Sequence, residues 1–191
     1  PSTSGYTGDT YCLDCDTLIS TGRTYSLTPG LYETGSNYTQ LIKSLSSMKS
    51  SGWFDNNYKV VTSYRSSIAG DMYFNQSSLA MDAFYNCTNL TGIYTGTSTK
   101  SVGMYAFYGC RNLKDANFTS ATSISNYAFS GCSSLQSVTA PMLNTVGGNA
   151  FEGCKNLTTF NADNVSSISQ YAFRDCTGLS NLNITFNNTS I

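Results

Sequence analysis

Seven cysteines and no histidine set the chemistry open to this chain of 191 residues. Cys12 and Cys15 form a C-x2-C pair. That spacing serves as half of a zinc site, as a redox dithiol or as a local bridge. Zinc takes four ligands, so without His a complete site would draw on residues outside the chain or on a partner. No thioredoxin-like βαβ pattern surrounds the pair, which places redox catalysis last. The missing His also removes every Ser-His-Asp or Cys-His arrangement. Glycoside hydrolysis needs only two carboxylates. Asp115 and Asp163, the pair weighed for it, sit two repeats apart at different offsets, roughly 10 Å or a little more on stacked strands. Solvated surface acids explain them better. The glycines mark turns, and no phosphate-cradling loop is present. The expectation is no enzyme and no cofactor.

The other five cysteines belong to a recurring phrase: Ala-Phe, two residues, Cys, two residues, Leu. It occurs at Ala83-Phe84, Cys87, Leu90; Ala106-Phe107, Cys110, Leu113; Ala128-Phe129, Cys132, Leu135; Ala150-Phe151, Cys154, Leu157; and Ala172-Phe173, Cys176, Leu179. The first step is 23 residues and the next three are 22. A fixed period of this length marks a solenoid, in which each repeat is one coil and stacking buries the apolar faces. Equivalent cysteines then lie about 4.8 Å apart. Their side chains point the same way, so a disulfide between neighbours is disfavoured and free buried thiols acting as small apolar fillers are expected.

Each Leu opens an LxxLxL pattern whose last positions alternate, which predicts a short strand. About eleven residues on stands a further aliphatic: Val102, Ile124, Val146 or Ile168, with Leu79 ahead of the first phrase. Ile68 precedes Leu79 by eleven residues and marks a degenerate opening coil. The residue before each Cys is Asn86, Gly109, Gly131, Gly153 or Asp175, all tolerant of left-handed backbone. The Ala-Phe segment is therefore expected to make one tight helical turn ending there.

These residues resemble the BspA-like, or Treponema-type, class of leucine-rich repeats over about residues 79–191. The family often has Ile-Pro at the strand end, and only Ala140-Pro141 approaches it. The resemblance implies an α/β leucine-rich-repeat solenoid of short parallel strands and short helical turns. It also implies a cell-surface or secreted protein, bacterial, active in adhesion to host proteins or other microbes. The stretch Gly5–Cys12 resembles a small cysteine-knuckle module found beside such repeats in Gram-positive surface proteins. That module carries another Cys upstream and Gly where Asp16 stands. A remnant knuckle or disulfide therefore ranks first for Cys12 and Cys15, and a zinc half-site second.

Upstream, residues 1–35 are expected to form a small β-rich segment, with strands at Thr17–Ile19 and Thr24–Leu27 and a turn at Pro29-Gly30. Residues 36–191 are expected to form the repeat domain, with a cap and degenerate coil over 36–78 and five regular repeats over 79–191. Asn37 and Gln40 match a capping box, and Leu41, Ile42, Leu45 and Met48 share one face. The pattern predicts a helix over 37–51, ended by Gly52, that covers the open end of the stack. Trp53, Phe54, Tyr58, Val60 and Val61 would complete this plug; an exposed aromatic patch is the other reading.

Only 11% of residues are charged and the net charge is −1, so no basic patch supports nucleic-acid binding. No stretch is long and apolar enough to cross a membrane as a helix. Ile191 falls where the next coil's aliphatic would stand, and the chain is expected to be a monomeric piece of a longer protein. The outward strand positions form polar columns. One is Thr91, Lys114, Gln136, Thr158 and Ser180; another is Tyr94, Asn117, Thr139, Asn161 and Asn183. Gly92, Asp115, Ser137, Thr159 and Asn181 make a third. The first two are the candidate contacts for a protein or glycan on a host or neighbouring cell. The rival surface is aromatic: Tyr105, Tyr127 and Tyr171 before Ala-Phe, and Tyr85 and Tyr108 after it, with packing between coils favoured. The expected role is extracellular adhesion. A structural spacer or a carbohydrate-binding accessory domain is the alternative.

Overall fold

A computed structural model describes residues 10–12, 17–20, 23–26, 30–35 and 38–186. Three short strands, β1 (Thr10–Cys12), β2 (Thr17–Ser20) and β3 (Arg23–Ser26), form one antiparallel sheet. The two strands expected there are β2 and β3. Cys15 and Pro29 lie outside the described residues, as does the Cys12 side chain.

The solenoid follows. Six strands, β6 (Gly70–Phe74), β8 (Leu90–Thr95), β10 (Asp115–Phe118), β12 (Ser137–Thr139), β14 (Thr159–Val165) and β16 (Asn181–Phe186), pair in parallel, one per coil. A second parallel sheet runs through β7 (Ser78–Leu79), β9 (Ser101–Val102), β11 (Ser123–Ile124), β13 (Thr145–Val146) and β15 (Ser167–Ile168). These two-residue strands place the aliphatic column in register: Leu79, Val102, Ile124, Val146, Ile168.

The core lies between the sheets and the Ala-Phe turns. Phe84, Phe107, Phe129, Phe151 and Phe173 stack as one column, with centroids 4.9–5.3 Å apart and planes within 14° of parallel. The strand side compensates residue size within each coil. Ala116 is followed inward by Phe118, and Phe160 by Ala162, so the filled volume stays similar while the large ring changes place. Both Phe118 and Phe160 then meet the phenylalanine column edge-on, at 5.8 Å from Phe129 and 5.2 Å from Phe151.

The expected helical turns are not helical. Across Ala-Phe, alternate N–H groups bond within the coil and to the next coil: Ala106 N donates to Gly103 O, Phe107 N to Ala128 O, Tyr108 N to Tyr105 O, and Gly109 N to Ser130 O. A helix would turn every N–H back onto its own coil. Positive φ at two positions per coil produces the alternation. One is the predicted residue before Cys. The other is the residue before Ala-Phe: Asp82, Tyr105, Tyr127, Asn149 or Tyr171, at φ of 55–60°. Tyrosine seldom adopts this conformation. The coils are thus strand and turn, and the α/β assignment gives way to a β-solenoid. Among the described residues the helices are one α-helix and one 3-10 helix, each six residues long.

The expected cap helix over 37–51 is mostly strand. Strand β4 (Gly30–Gly35) pairs antiparallel with β6, and β5 (Tyr38–Ser44) pairs antiparallel with β4, extending the large sheet to eight strands. The boundary expected after residue 35 falls inside this hairpin. Helix α1 covers only Leu45–Ser50, with Ser44 as its N-cap in place of Asn37. Pairing of 38–44 with the edge of β4 satisfies backbone groups that a helix there would leave idle on the sheet, and it overrides the apolar periodicity. Gly52 does end the helix: at φ 75° it lets Trp53 N reach Met48 O and Gly52 N reach Lys49 O. Leu45, Met48, Phe54 and Val60 are buried over the first coil, and the ring of Phe54 meets Phe84 edge-on at 5.8 Å.

Close coil contact makes Gly147, in the column Gly103, Ser125, Gly147 and Ser169, selective. A Cβ on Gly147 would stand 2.5 Å from both Asn126 N and Ser125 C, backbone atoms that cannot swing away. On Gly148 the nearest atom would be 3.4 Å away. Gly147→Ala should therefore lower stability by about 1–3 kcal/mol, while Gly148→Ala stays near neutral. Urea denaturation of the two variants checks this, and equal midpoints would refute it.

Candidate partner-binding face

The outward face of the large sheet carries the predicted columns in register. Tyr94, Asn117, Thr139, Asn161 and Asn183 are successive ladder partners. So are Gly92, Asp115, Ser137, Thr159 and Asn181, and the structure adds Asp71 at the head of that row. Thr91, Lys114, Gln136, Thr158 and Ser180 follow one another through backbone bonds from each N–H to the carbonyl one coil back. Lys114, Gln136, Thr158, Ser180 and Asn183 are exposed; Thr91, Tyr94, Asn117, Thr139 and Asn161 are half-buried.

Part of this polarity is spent within the stack. Asn183 Nδ2 donates to Asn161 Oδ1 at 2.8 Å, and Thr158 Oγ1 and Ser180 Oγ donate to Gln136 O and Thr158 O. Two carboxylates accept hydroxyls: Thr91 Oγ1 donates to Asp71 Oδ1 at 2.6 Å, and Ser137 Oγ donates to Asp115 Oδ1 at 2.7 Å. Burial, then the fields of Asp71 and Asp115, push the Tyr94 phenol well above its ordinary range. The grouping of Asp71 with Asp115 is a feature that sequence reasoning missed. A signal for it exists, because Asp71 lies three residues after Ile68, but the degenerate coil hides the register.

The tyrosine columns pack as expected. Tyr85 stacks on Tyr108 and Tyr105 on Tyr127, both at 5.2 Å, and Tyr105 meets Tyr108 edge-on. The faces of these four are turned toward one another, whereas Tyr171 is 54% exposed and stands beside the Arg174 guanidinium.

The five repeat cysteines are free thiols, four buried and Cys176 half-buried. Each of the last four donates to a phenylalanine carbonyl of the preceding coil: Cys110 to Phe84 O, Cys132 to Phe107 O, Cys154 to Phe129 O and Cys176 to Phe151 O, at 3.0–3.2 Å. Cysteine suits the column because it is small and apolar yet supplies one weak donor. Burial pushes Cys87 up to about 12 and raises Cys110 and Cys132 well above the ordinary thiol value. At the last coil, the neighbouring Cys154 thiol, able to turn its proton toward a Cys176 thiolate, holds Cys176 below its ordinary value.

Among the described residues no three His, Cys, Asp or Glu side chains converge on a metal site. An open groove of about 600 Å³ runs beside Asp55, Lys59 and Asp82. The Lys59–Asp82 ion pair at 2.9 Å lies along it. No helix among the described residues is long and apolar enough to cross a membrane.

Stacked parallel coils, an inward Phe-Cys-Leu set and an outward polar sheet define a leucine-rich-repeat solenoid, a class suited to protein–protein interaction and generally not enzymatic. The BspA type leucine rich repeat region matches residues 77–191 in six copies, and the chain belongs to that family. Similar solved structures are all leucine-rich repeat proteins. One from T. pallidum has 25% identity and a TM-score of 0.51, over 57% of this chain and 61% of that one. One from Bacteroides ovatus has 17% identity and a TM-score of 0.43, over 97% and 52%. A leucine rich cell surface protein from Faecalibacterium prausnitzii has 19% identity and a TM-score of 0.44, over 100% and 56%. The chain thus spans less than two thirds of the length of each. No curated protein matches it.

Proposed function

We propose that this chain is an extracellular or cell-surface interaction module that adheres to a protein or glycan through the outward face of its large sheet. The observation that carries this reading is the alignment of the polar columns over successive coils, which makes a broad, rigid, hydrogen-bonding surface. Low charge and abundant Ser, Thr and Asn suit a neutral ligand held by many hydrogen bonds. Family membership supports the surface location. Replacing Thr139, Asn161 and Asn183 together by Ala should weaken binding at least about tenfold, the loss of one or two net hydrogen bonds. The ligand would first be selected from a panel of matrix proteins and glycans, and affinity measured by calorimetry. Unchanged affinity, with the melting temperature preserved, would remove this face as the contact.

A structural spacer is the second reading, favoured by the Asn183–Asn161 bond and the hydroxyls bonded to backbone along the stack. Recovery of a specific ligand from the same panel would count against it.

A further inference from the structure

The outward sheet face is not uniform. Toward β16 it is built mainly of Thr, Asn and Ser, with one exposed carboxylate, Asp163, on β14. Toward β6 it carries two carboxylates and an aromatic ring. Asp71, Gly92 and Asp115 are ladder partners on β6, β8 and β10, so the two acids flank the glycine on either side, roughly 10 Å apart at Cα. Tyr94 stands two residues from Gly92 on the same face. A Cβ at Gly92 would lie 2.7 Å from Tyr94 Cε2 and 2.7 Å from Asp71 Oδ1. The missing side chain therefore lets the tyrosine ring fold back over the strand, beside the Asp71 carboxylate.

Among the described residues neither carboxylate is in an ion pair. The ion pairs among the described residues are Lys59–Asp82, Arg174–Glu152 and Arg174–Asp175, all elsewhere. Asp71 and Asp115 instead take neutral hydroxyls, from Thr91 and Ser137. Lys114 precedes Asp115 but is exposed and pairs with neither acid. Burial first, and then the Asp71 and Asp115 carboxylates, raise the Tyr94 phenol.

We infer that Asp71, Tyr94 and Asp115 form a receiving site for a lysine or arginine side chain of a partner protein. This rests on the strand-face reading above and deepens it. Charge complementarity selects the occupant. A cation between two half-buried carboxylates gains charge-assisted hydrogen bonds, and the ring adds a cation–π contact. A neutral glycan gains neither and fits the Thr and Asn half. Lys114 at the margin favours a partner presenting a single cation over a dense basic cluster.

The test is an NMR titration of the whole 15N-labelled chain with the peptide acetyl-Gly-Arg-Gly-amide. Acetyl-Gly-Gln-Gly-amide and calcium chloride are the controls. Saturable shifts centred on the amides of Gly92, Tyr94 and Asp115 are expected from the arginine peptide alone. The variant D71N/D115N keeps an acceptor for Thr91 and Ser137, and it should bind the peptide at least tenfold more weakly. Y94L should lose affinity several-fold, while Y94F retains it. Unsaturable or scattered shifts, equal binding by D71N/D115N, or a response to calcium alone would overturn the site. Should D71N/D115N fail to fold, single D115N and a titration of the unaltered chain in 0.5 M salt replace it, and an unchanged affinity in either sinks the site. A selected ligand that is lost on changing Thr139, Asn161 and Asn183 but is indifferent to D71N/D115N would leave the interaction function standing and refute this site. A ligand indifferent to both sets would remove the strand-face reading itself.

Discussion

Raising the pH from about 9 to 10 should strip about 3–4 kcal/mol from the stability of this chain. The agents are Cys87, Cys110 and Cys132, buried thiols whose folded-state pKa values lie far above those of an unfolded chain. Below the unfolded value of about 8.5 both states hold the proton, and stability does not respond. Above it the unfolded chain loses protons that the folded chain keeps. Each thiol then contributes a fall of about 1.4 kcal/mol per pH unit, continuing until its folded-state value is reached, about 12 for Cys87. Tyr94 adds to the same slope above about pH 10. Urea midpoints at pH 8, 9 and 10 measure the effect, and Cys132→Ala should shallow the slope by about a third. In the same samples at pH 8, alkylation followed by mass analysis should, among the five repeat cysteines, label Cys176 first and the other four only on unfolding. A flat profile to pH 10 would mean that these thiols are not sealed in the core.

Phe129→Ala should be the most damaging single substitution in the solenoid, at about 3–5 kcal/mol. The ring is fully buried, stacked at 4.9 Å on Phe107 and 5.1 Å on Phe151, and met edge-on by Phe118. Its loss opens a cavity and also cuts the column in the middle. Stability in a repeat protein depends on nearest-neighbour coupling, so the coils on either side should begin to melt separately. Chemical denaturation should show both a lower midpoint and a lower apparent m-value, the mark of lost two-state behaviour. Phe173→Ala is the control. That ring belongs to the last regular coil and is only partly buried, so its removal should cost well under half as much. Equal costs at the two positions would show that the column does not act as a continuous element.

The register was legible because one physical requirement repeats. Every coil must bury the same three points, so Phe, Cys and Leu recur at the coil length. The left-handed residue before Cys was legible for a similar reason, since only Asn, Asp or Gly takes that backbone at low cost. The second left-handed position was not legible. At Tyr105 and Tyr127 the backbone N–H bonds to the next coil, and Tyr171 in the last coil takes the same backbone, so the position has no signature in residue type. The strand at 38–44 was hidden for a related reason. Tyr-Thr-Gln-Leu-Ile-Lys-Ser has helical apolar spacing, and the neighbouring edge of β4 decides its state. Asp71 and Asp115 read separately as surface acids because the opening coil lacks the repeat phrase that would have aligned them.

From its residues alone, then, this chain declared a stack of coils, their inward side chains, free core thiols and a polar outer face. These follow from burial, which acts on each residue by type and recurs with the period. The stack itself decided the backbone path through each turn, the hairpin that closes the first coil and the meeting of two carboxylates across Gly92. The hairpin's own ladder aside, those depend on hydrogen bonds and fields between residues about twenty or more apart in sequence, and such partners exist only once the coils lie against one another.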